Sequence, residues 1–143
     1  MARIEESIDI KCPIEKAFTY TTDAKSWPKW QTFIPEAEQT SPGKVDLGTT
    51  FKGTNRMMGM TMKWTAKTNE YQPTSKWGKK ITAGSMNIQE SLNFNPLEGG
   101  TKFTIMYDMN AGGLMKLFSP MIVNSMRKET KKSLINLKRV LEE

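Results

Sequence analysis

Glu90 and Tyr107 are the side chains of this sequence best placed to handle a proton or hold a polar group. In "SMNIQESLNF" the period-two alternation sets Met86, Ile88, Leu92 and Phe94 on one face, and Glu90 falls in the same register. A carboxylate that leaves water for an apolar surround has a raised pKa unless it is paired. In "KFTIMYDM" the matching face carries Phe103, Ile105, Tyr107 and Met109. If "LEGG" is the loop between the two segments, Pro96 faces Thr101. Phe94 then faces Phe103, Leu92 faces Ile105 and Glu90 faces Tyr107, close enough for contact. Such a pair could orient a ligand's hydroxyl or carbonyl, or supply a general acid or base. The alternative is a Glu90 at the open end of its strand, reaching solvent.

Absent residues narrow the chemistry further. The chain has no histidine and one cysteine, Cys12. Ser-His and Cys-His nucleophilic pairs, imidazole metal sites and the usual zinc clusters are therefore excluded. Neither a phosphate-binding loop nor a dinucleotide glycine fingerprint occurs. Catalysis, if any, rests on carboxylates, lysines or tyrosines, and no metal or other cofactor is expected.

"MMGMTM" at 57–62 holds four methionines around one glycine. Thioether sulfur selects Cu(I), but copper capture needs several sulfurs converging, usually helped by Cys or His. Flexible apolar side chains serve equally as a wall that adapts to an irregular guest, or as ordinary core filling. With Gly59 at the turn, Met57, Met60 and Met62 point to the buried side of the sheet and border a cavity entrance. Trp77, flanked by lysines in "SKWGKK", reads as part of a solvated strand face, and Trp64 alternates inward.

Several elements must position these groups. "RIEESIDIK" alternates as a strand, and Pro13 opens a short helix as its first residue. Asp23 is a plausible N-cap for a second short helix through "AKSWPKW". From about 36 to 111 the alternation is that of about six antiparallel strands with one wet face, turning at "MMGM" and "NPLEGG". The last thirty residues change to helical period. Ile122, Val123, Met126, Leu134, Leu137, Val140 and Leu141 share one arc, starting near Ser119–Pro120, and Ile135 breaks the pattern. The fold class is α+β, one domain over 1–143: a curved antiparallel sheet of about seven strands wrapped on a long C-terminal helix.

The formal net charge is +6, and its excess sits on that helix. Arg127, Lys128, Lys131, Lys132, Lys138 and Arg139 oppose one acidic residue, Glu129. This is the helix's solvated face, with transient contact to anionic membrane as its alternative use; no nucleic-acid partner is expected. The first ten residues lack an apolar segment and no run is long enough to span a bilayer. With a lone cysteine, the cytoplasm is the simplest location.

The order of elements, with "IDIKCPIEKAFTYTTDAKSWPKW", "EGGTKFTIMYDM" and "LINLKRVLEE", resembles the START-like (SRPBCC) superfamily, in particular its polyketide cyclase/dehydrase-like branch. The resemblance implies a helix-grip fold with an internal apolar cavity. It also implies a carrier or binder of a small hydrophobic ligand, lipid- or polyketide-like. A cyclase or dehydratase, and a regulatory or co-chaperone-like module, are the alternatives. One departure is that the turn corresponding to the long glycine-rich loop of plant members is here only "MMGM". The expected ligand-binding wall comprises Phe51, Asn55, Met57, Met60, Met62, Trp64, Ile88, Glu90, Leu92, Phe103, Ile105, Tyr107, Met109, Phe118, Ile122 and Met126.

Overall fold

The computed structural model describes residues 2–84, 86–110 and 120–143. Strand β1 (Ala2–Ile10) is followed by helix α1 (Ile14–Thr22), a 3-10 turn at Ala24–Ser26 and the one-turn helix α2 (Trp27–Trp30). Strands β2 (Glu36–Gln39), β3 (Thr50–Met57), β4 (Met60–Gln72), β5 (Lys76–Ala83), β6 (Met86–Leu97) and β7 (Gly100–Asn110) come next, and helix α3 (Pro120–Glu142) closes the chain. The strands form one seven-stranded sheet in the order β1-β7-β6-β5-β4-β3-β2, antiparallel throughout. A register shift between Thr68 and Glu70 interrupts the β4–β5 ladder, the kind of irregularity that bends a strand.

Local chemistry explains the element ends. Pro13 stands one residue earlier than its sequence reading, as the extended N-cap of α1 rather than its first residue. Its missing N–H costs nothing there. Asp23 is the predicted cap: its carboxylate accepts from the Lys25 backbone N–H at 3.0 Å. The β3–β4 hairpin turns on Met58 and Gly59, both at positive φ (53° and 77°), as a two-residue primed turn requires. The β6–β7 hairpin is tighter than a four-residue loop. Leu97 pairs with Gly100 across Glu98 and Gly99, which leaves the Pro96–Thr101 register unchanged.

Helix α3 packs against β1 and α2 through Met126, Leu134, Leu137 and Leu141, and Ile135 faces solvent as the pattern break implied. Polar ties fix it as well. Ser133 Oγ accepts from the Thr32 N–H at 3.0 Å, and the Lys16 ammonium donates to the Leu141 carbonyl at 3.0 Å. Part of the basic face is committed to the fold, since Lys138 donates to the Asp9 carbonyl and to Glu142. No helix among the described residues is long and apolar enough to cross a membrane.

On the concave face the sheet meets α2 through rings. Trp27 lies 5.0 Å from Phe51, 5.7 Å from Trp77 and 6.2 Å from Trp64, centroid to centroid. The Trp64 indole lies over Gly53, where a Cβ would come within 2.6 Å of the ring and 2.4 Å of the Glu36 carbonyl. Gly53→Ala is therefore expected to cost about 1–3 kcal/mol, the usual range for overpacking. Chemical denaturation measures it, and an unchanged midpoint would show that the β2–β4 edge yields without strain.

Candidate functional site

Three adjacent strands bring one side chain each to a single row across the concave face. Lys79 on β5 stands directly opposite Glu90 on β6, and Glu90 directly opposite Tyr107 on β7. The Glu90–Tyr107 pairing is the register predicted from the hairpin. Period-two alternation puts all three on the inner side, with Trp77 and Ile81 flanking Lys79 and Ile88 and Leu92 flanking Glu90. The row continues to Thr68 on β4, opposite Lys79, and to Ile4 on β1, opposite Tyr107.

The row is sealed from water. Lys79 Nζ lies 3.0 Å from Glu90 Oε1, with side chains 3% and 4% exposed. Tyr107 faces the same Glu90 from the other side. Lys79 Nζ also lies 3.5 Å from the centroid of the Trp27 ring, 4.6 Å from Trp77, 5.7 Å from Phe51 and 5.9 Å from Trp64. Aromatic faces attract a cation, most strongly when water is excluded. Burial pushes the Lys79 pKa down, opposed by the charge and hydrogen bond of Glu90. Burial, then the Glu90 charge and hydrogen bond, hold the Tyr107 phenol well above its ordinary range. The site therefore holds an amine, a carboxylate and a neutral phenol in one dry line, with the carboxylate between the two proton donors.

Among the described residues, several buried polar atoms lack a hydrogen-bond partner, and two of them lie on β3 and β4. The Trp64 indole N–H and the Asn55 side-chain oxygen are buried without a hydrogen bond, on neighbouring positions of β4 and β3. Trp27 and Trp77 are satisfied: the first donates to the Thr21 carbonyl at 2.8 Å, the second to Thr68 Oγ1 at 3.3 Å.

Of the wall anticipated from sequence, Phe51, Trp64, Ile88, Glu90, Leu92, Phe103, Ile105, Tyr107, Met109 and Met126 are buried. Asn55, Met57 and Ile122 are half-buried. Phe118 lies outside the described residues, as does Met115. Met60 and Met62 depart from expectation, being 61% and 39% exposed. They share the face of Trp64, but the β3–β4 hairpin extends beyond what covers that face. Met121, near the start of α3, also faces solvent. Trp77 is the clearest correction. It is 1% exposed in the aromatic cluster rather than on a solvated face, which leaves no free ring face for a nucleic-acid base.

Sequence reasoning missed Lys79 and the position of Trp27 above it. The signal for Lys79 is present, since "KWGKKITA" alternates with Trp77, Lys79, Ile81 and Ala83 in phase. A lysine between apolar positions reads as wet face because lysine is almost never fully buried unpaired. Elsewhere, a groove of about 510 Å³ lies along β2–β4, lined by Glu36, Ala37, Glu38, Lys52, Gly53, Thr54, Lys63, Trp64 and Thr65. Charged side chains stand among these, and Lys52 is already paired with Glu38 at 3.1 Å. The groove touches none of the row.

The sequence profile described as polyketide cyclase/dehydrase and lipid transport matches residues 1–142. The chain belongs to this family. Solved structures agree on the fold. A Thermus thermophilus protein, TTHA0849, superposes with TM-score 0.82 at 13% identity, covering 98% of this chain and 97% of that one. A START superfamily protein of Mycobacterium smegmatis gives 0.81 at 10% identity, covering 98% and 97%. DynU16, from the dynemicin biosynthetic locus, gives 0.70 at 12% identity, covering 98% of this chain and 47% of its own. No curated protein matches the chain in sequence. This member of the polyketide cyclase/dehydrase and lipid transport family thus has the helix-grip fold of the START-like superfamily.

Proposed function

We propose that the protein binds a small apolar ligand, lipid- or polyketide-like, between the sheet and α3, with the ligand's polar end held by the Lys79–Glu90–Tyr107 row. One observation carries this reading: an ion pair and a phenol are buried side by side in an otherwise aromatic interior. Well-packed hydrophobic residues of similar volume are often as stable or more stable than a buried ion pair. Stability alone therefore gives no reason to keep the row, whereas recognition of a hydroxyl or carbonyl does. Family membership supports a hydrophobic ligand. A second reading, a cyclase or dehydratase, is favoured by the placement of a carboxylate between an amine and a phenol, where it can pass protons at fixed distance. In either reading the cytoplasm fits the lone buried Cys12. Lys128 and Lys131, exposed on α3, suit loading from an anionic membrane.

The test is a titration with an apolar fluorophore followed by displacement with long-chain alcohols, ketones and alkanes. Saturable one-to-one binding is expected, with tryptophan quenching because Trp27, Trp64 and Trp77 share the interior. Glu90→Gln is expected to weaken alcohols, whose O–H can donate to the carboxylate, about tenfold, one charge-assisted hydrogen bond's worth, and to leave alkanes unchanged. Equal affinities in both proteins would reduce the row to structure. Absence of any saturable binding would remove the binder reading itself.

A further inference from the structure

We propose that Lys79 captures the carbonyl group of the ligand as an iminium, so that the ligands of this interior are aldehydes or ketones held covalently and reversibly. The inference rests on the binding reading above and names its substrate class. It begins from the shape of the cation site. The Lys79 ammonium is enclosed by the Trp27 ring at 3.5 Å, the Trp77 ring at 4.6 Å and the Glu90 carboxylate at 3.0 Å. A site built this way stabilises one positive charge at one point, whichever nitrogen cation occupies it.

Iminium formation preserves that charge. The ammonium passes a proton to Glu90, and the free amine's lone pair attacks the carbonyl carbon. The C–N bond forms as the C=O π pair moves to oxygen. Glu90 returns a proton to that oxygen and accepts the second proton from nitrogen. Glu90 passes that second proton to the hydroxyl, the nitrogen lone pair closes the C=N bond as the C–O bond breaks, and water leaves with both hydrogens lost by the amine. Ammonium plus carbonyl becomes iminium plus water, with no oxidant or reductant. The product cation sits where the ammonium sat, against the same carboxylate and rings.

Three further features agree. An amine must shed its proton to attack, and burial already lowers the Lys79 pKa. Tyr107 faces Glu90 from the side opposite Lys79, so the carboxylate stands between the amine and the phenol. Among the described residues the Trp64 indole N–H has no partner; its ring lies 5.9 Å from the ammonium, and the Asn55 oxygen, likewise without one, lies on the next strand. They give a donor and an acceptor for a second oxygen function on the same ligand, as a compound with several carbonyl or hydroxyl groups would present.

Hexanal and 2-octanone, each with cyanoborohydride and the intact protein at pH 7, provide the test, read by peptide mass mapping. Reduction turns a captured carbonyl into a secondary amine on the lysine that held it. The expected result is a Lys79 adduct at ten or more times the occupancy of the average surface lysine, with that selectivity lost in denaturant. Lys79→Arg keeps the cation and is expected to abolish the selective adduct. If that variant does not fold, the map of the unaltered protein decides alone. Surface lysines modified with Lys79 untouched would overturn the proposal. Fluorophore displacement by the same carbonyls separates the two claims: displacement without a Lys79 adduct defeats the iminium and leaves the binder, and failure of both defeats both.

Discussion

Lys79→Met is expected to lose about 3–5 kcal/mol of folding stability at pH 7, and Lys79→Met with Glu90→Gln to recover most of it. The single change leaves the Glu90 carboxylate 4% exposed with no counter-ion, and removing one member of a buried pair costs about that much. The Met side chain itself is of similar length and fills the space under Trp27, so lost volume is a small term. The double variant removes both charges and keeps an oxygen for the Tyr107 hydroxyl. Replacing a buried pair outright is often neutral or stabilising, so the double variant should lie within about 2 kcal/mol of the parent. Denaturant melts of the parent, Lys79→Met, Glu90→Gln and the double variant give the coupling energy directly. Additive effects, with a coupling under about 0.5 kcal/mol, would mean that Lys79 and Glu90 do not share a buried ion pair.

Trp27→Ala is expected to be comparably damaging, at about 3–5 kcal/mol. The ring is fully buried, touches Phe51, Trp64 and Trp77, and donates its N–H to the Thr21 carbonyl. Typical domains have only about 5–15 kcal/mol of stability, so this one change removes much of it. It also uncovers the Lys79 ammonium, whose nearest ring is Trp27. Trp27→Phe retains a face for the cation and should cost less. In whatever fraction of Trp27→Ala folds, uptake of an apolar fluorophore should rise, because a lost indole leaves room beside the row. A loss under about 1 kcal/mol would place the keystone of this interior elsewhere.

The register of the site was legible and its depth was not. A two-residue turn at Glu98–Gly99 and strict alternation suffice to set Glu90 against Tyr107, since a slip of one residue would expose Phe94, Leu92 and Ile105 together. The same alternation placed Met60 and Met62 in phase with Trp64 and could not tell that nothing covers them. Period two reports which residues share a face; cover comes from another element. Here α2 provides it, four residues long and too short for any periodicity to predict where its two tryptophans land. Lys79 was hidden by its own chemistry. A lysine is read as solvent-facing unless its counter-ion is known, and that counter-ion is 11 positions away on the next strand. Helix α3 was readable along its length, down to its exposed Ile135, because 23 residues hold several turns of pattern.

Native mass spectrometry of the freshly purified protein, before and after incubation with long-chain ketones and alcohols, tests the central claim most directly. One equivalent of apolar ligand per chain is expected, carried from the cell or taken up on incubation, with retention of alcohols weakened in Glu90→Gln. A bare-chain mass under every condition, with the folded state confirmed, would contradict it.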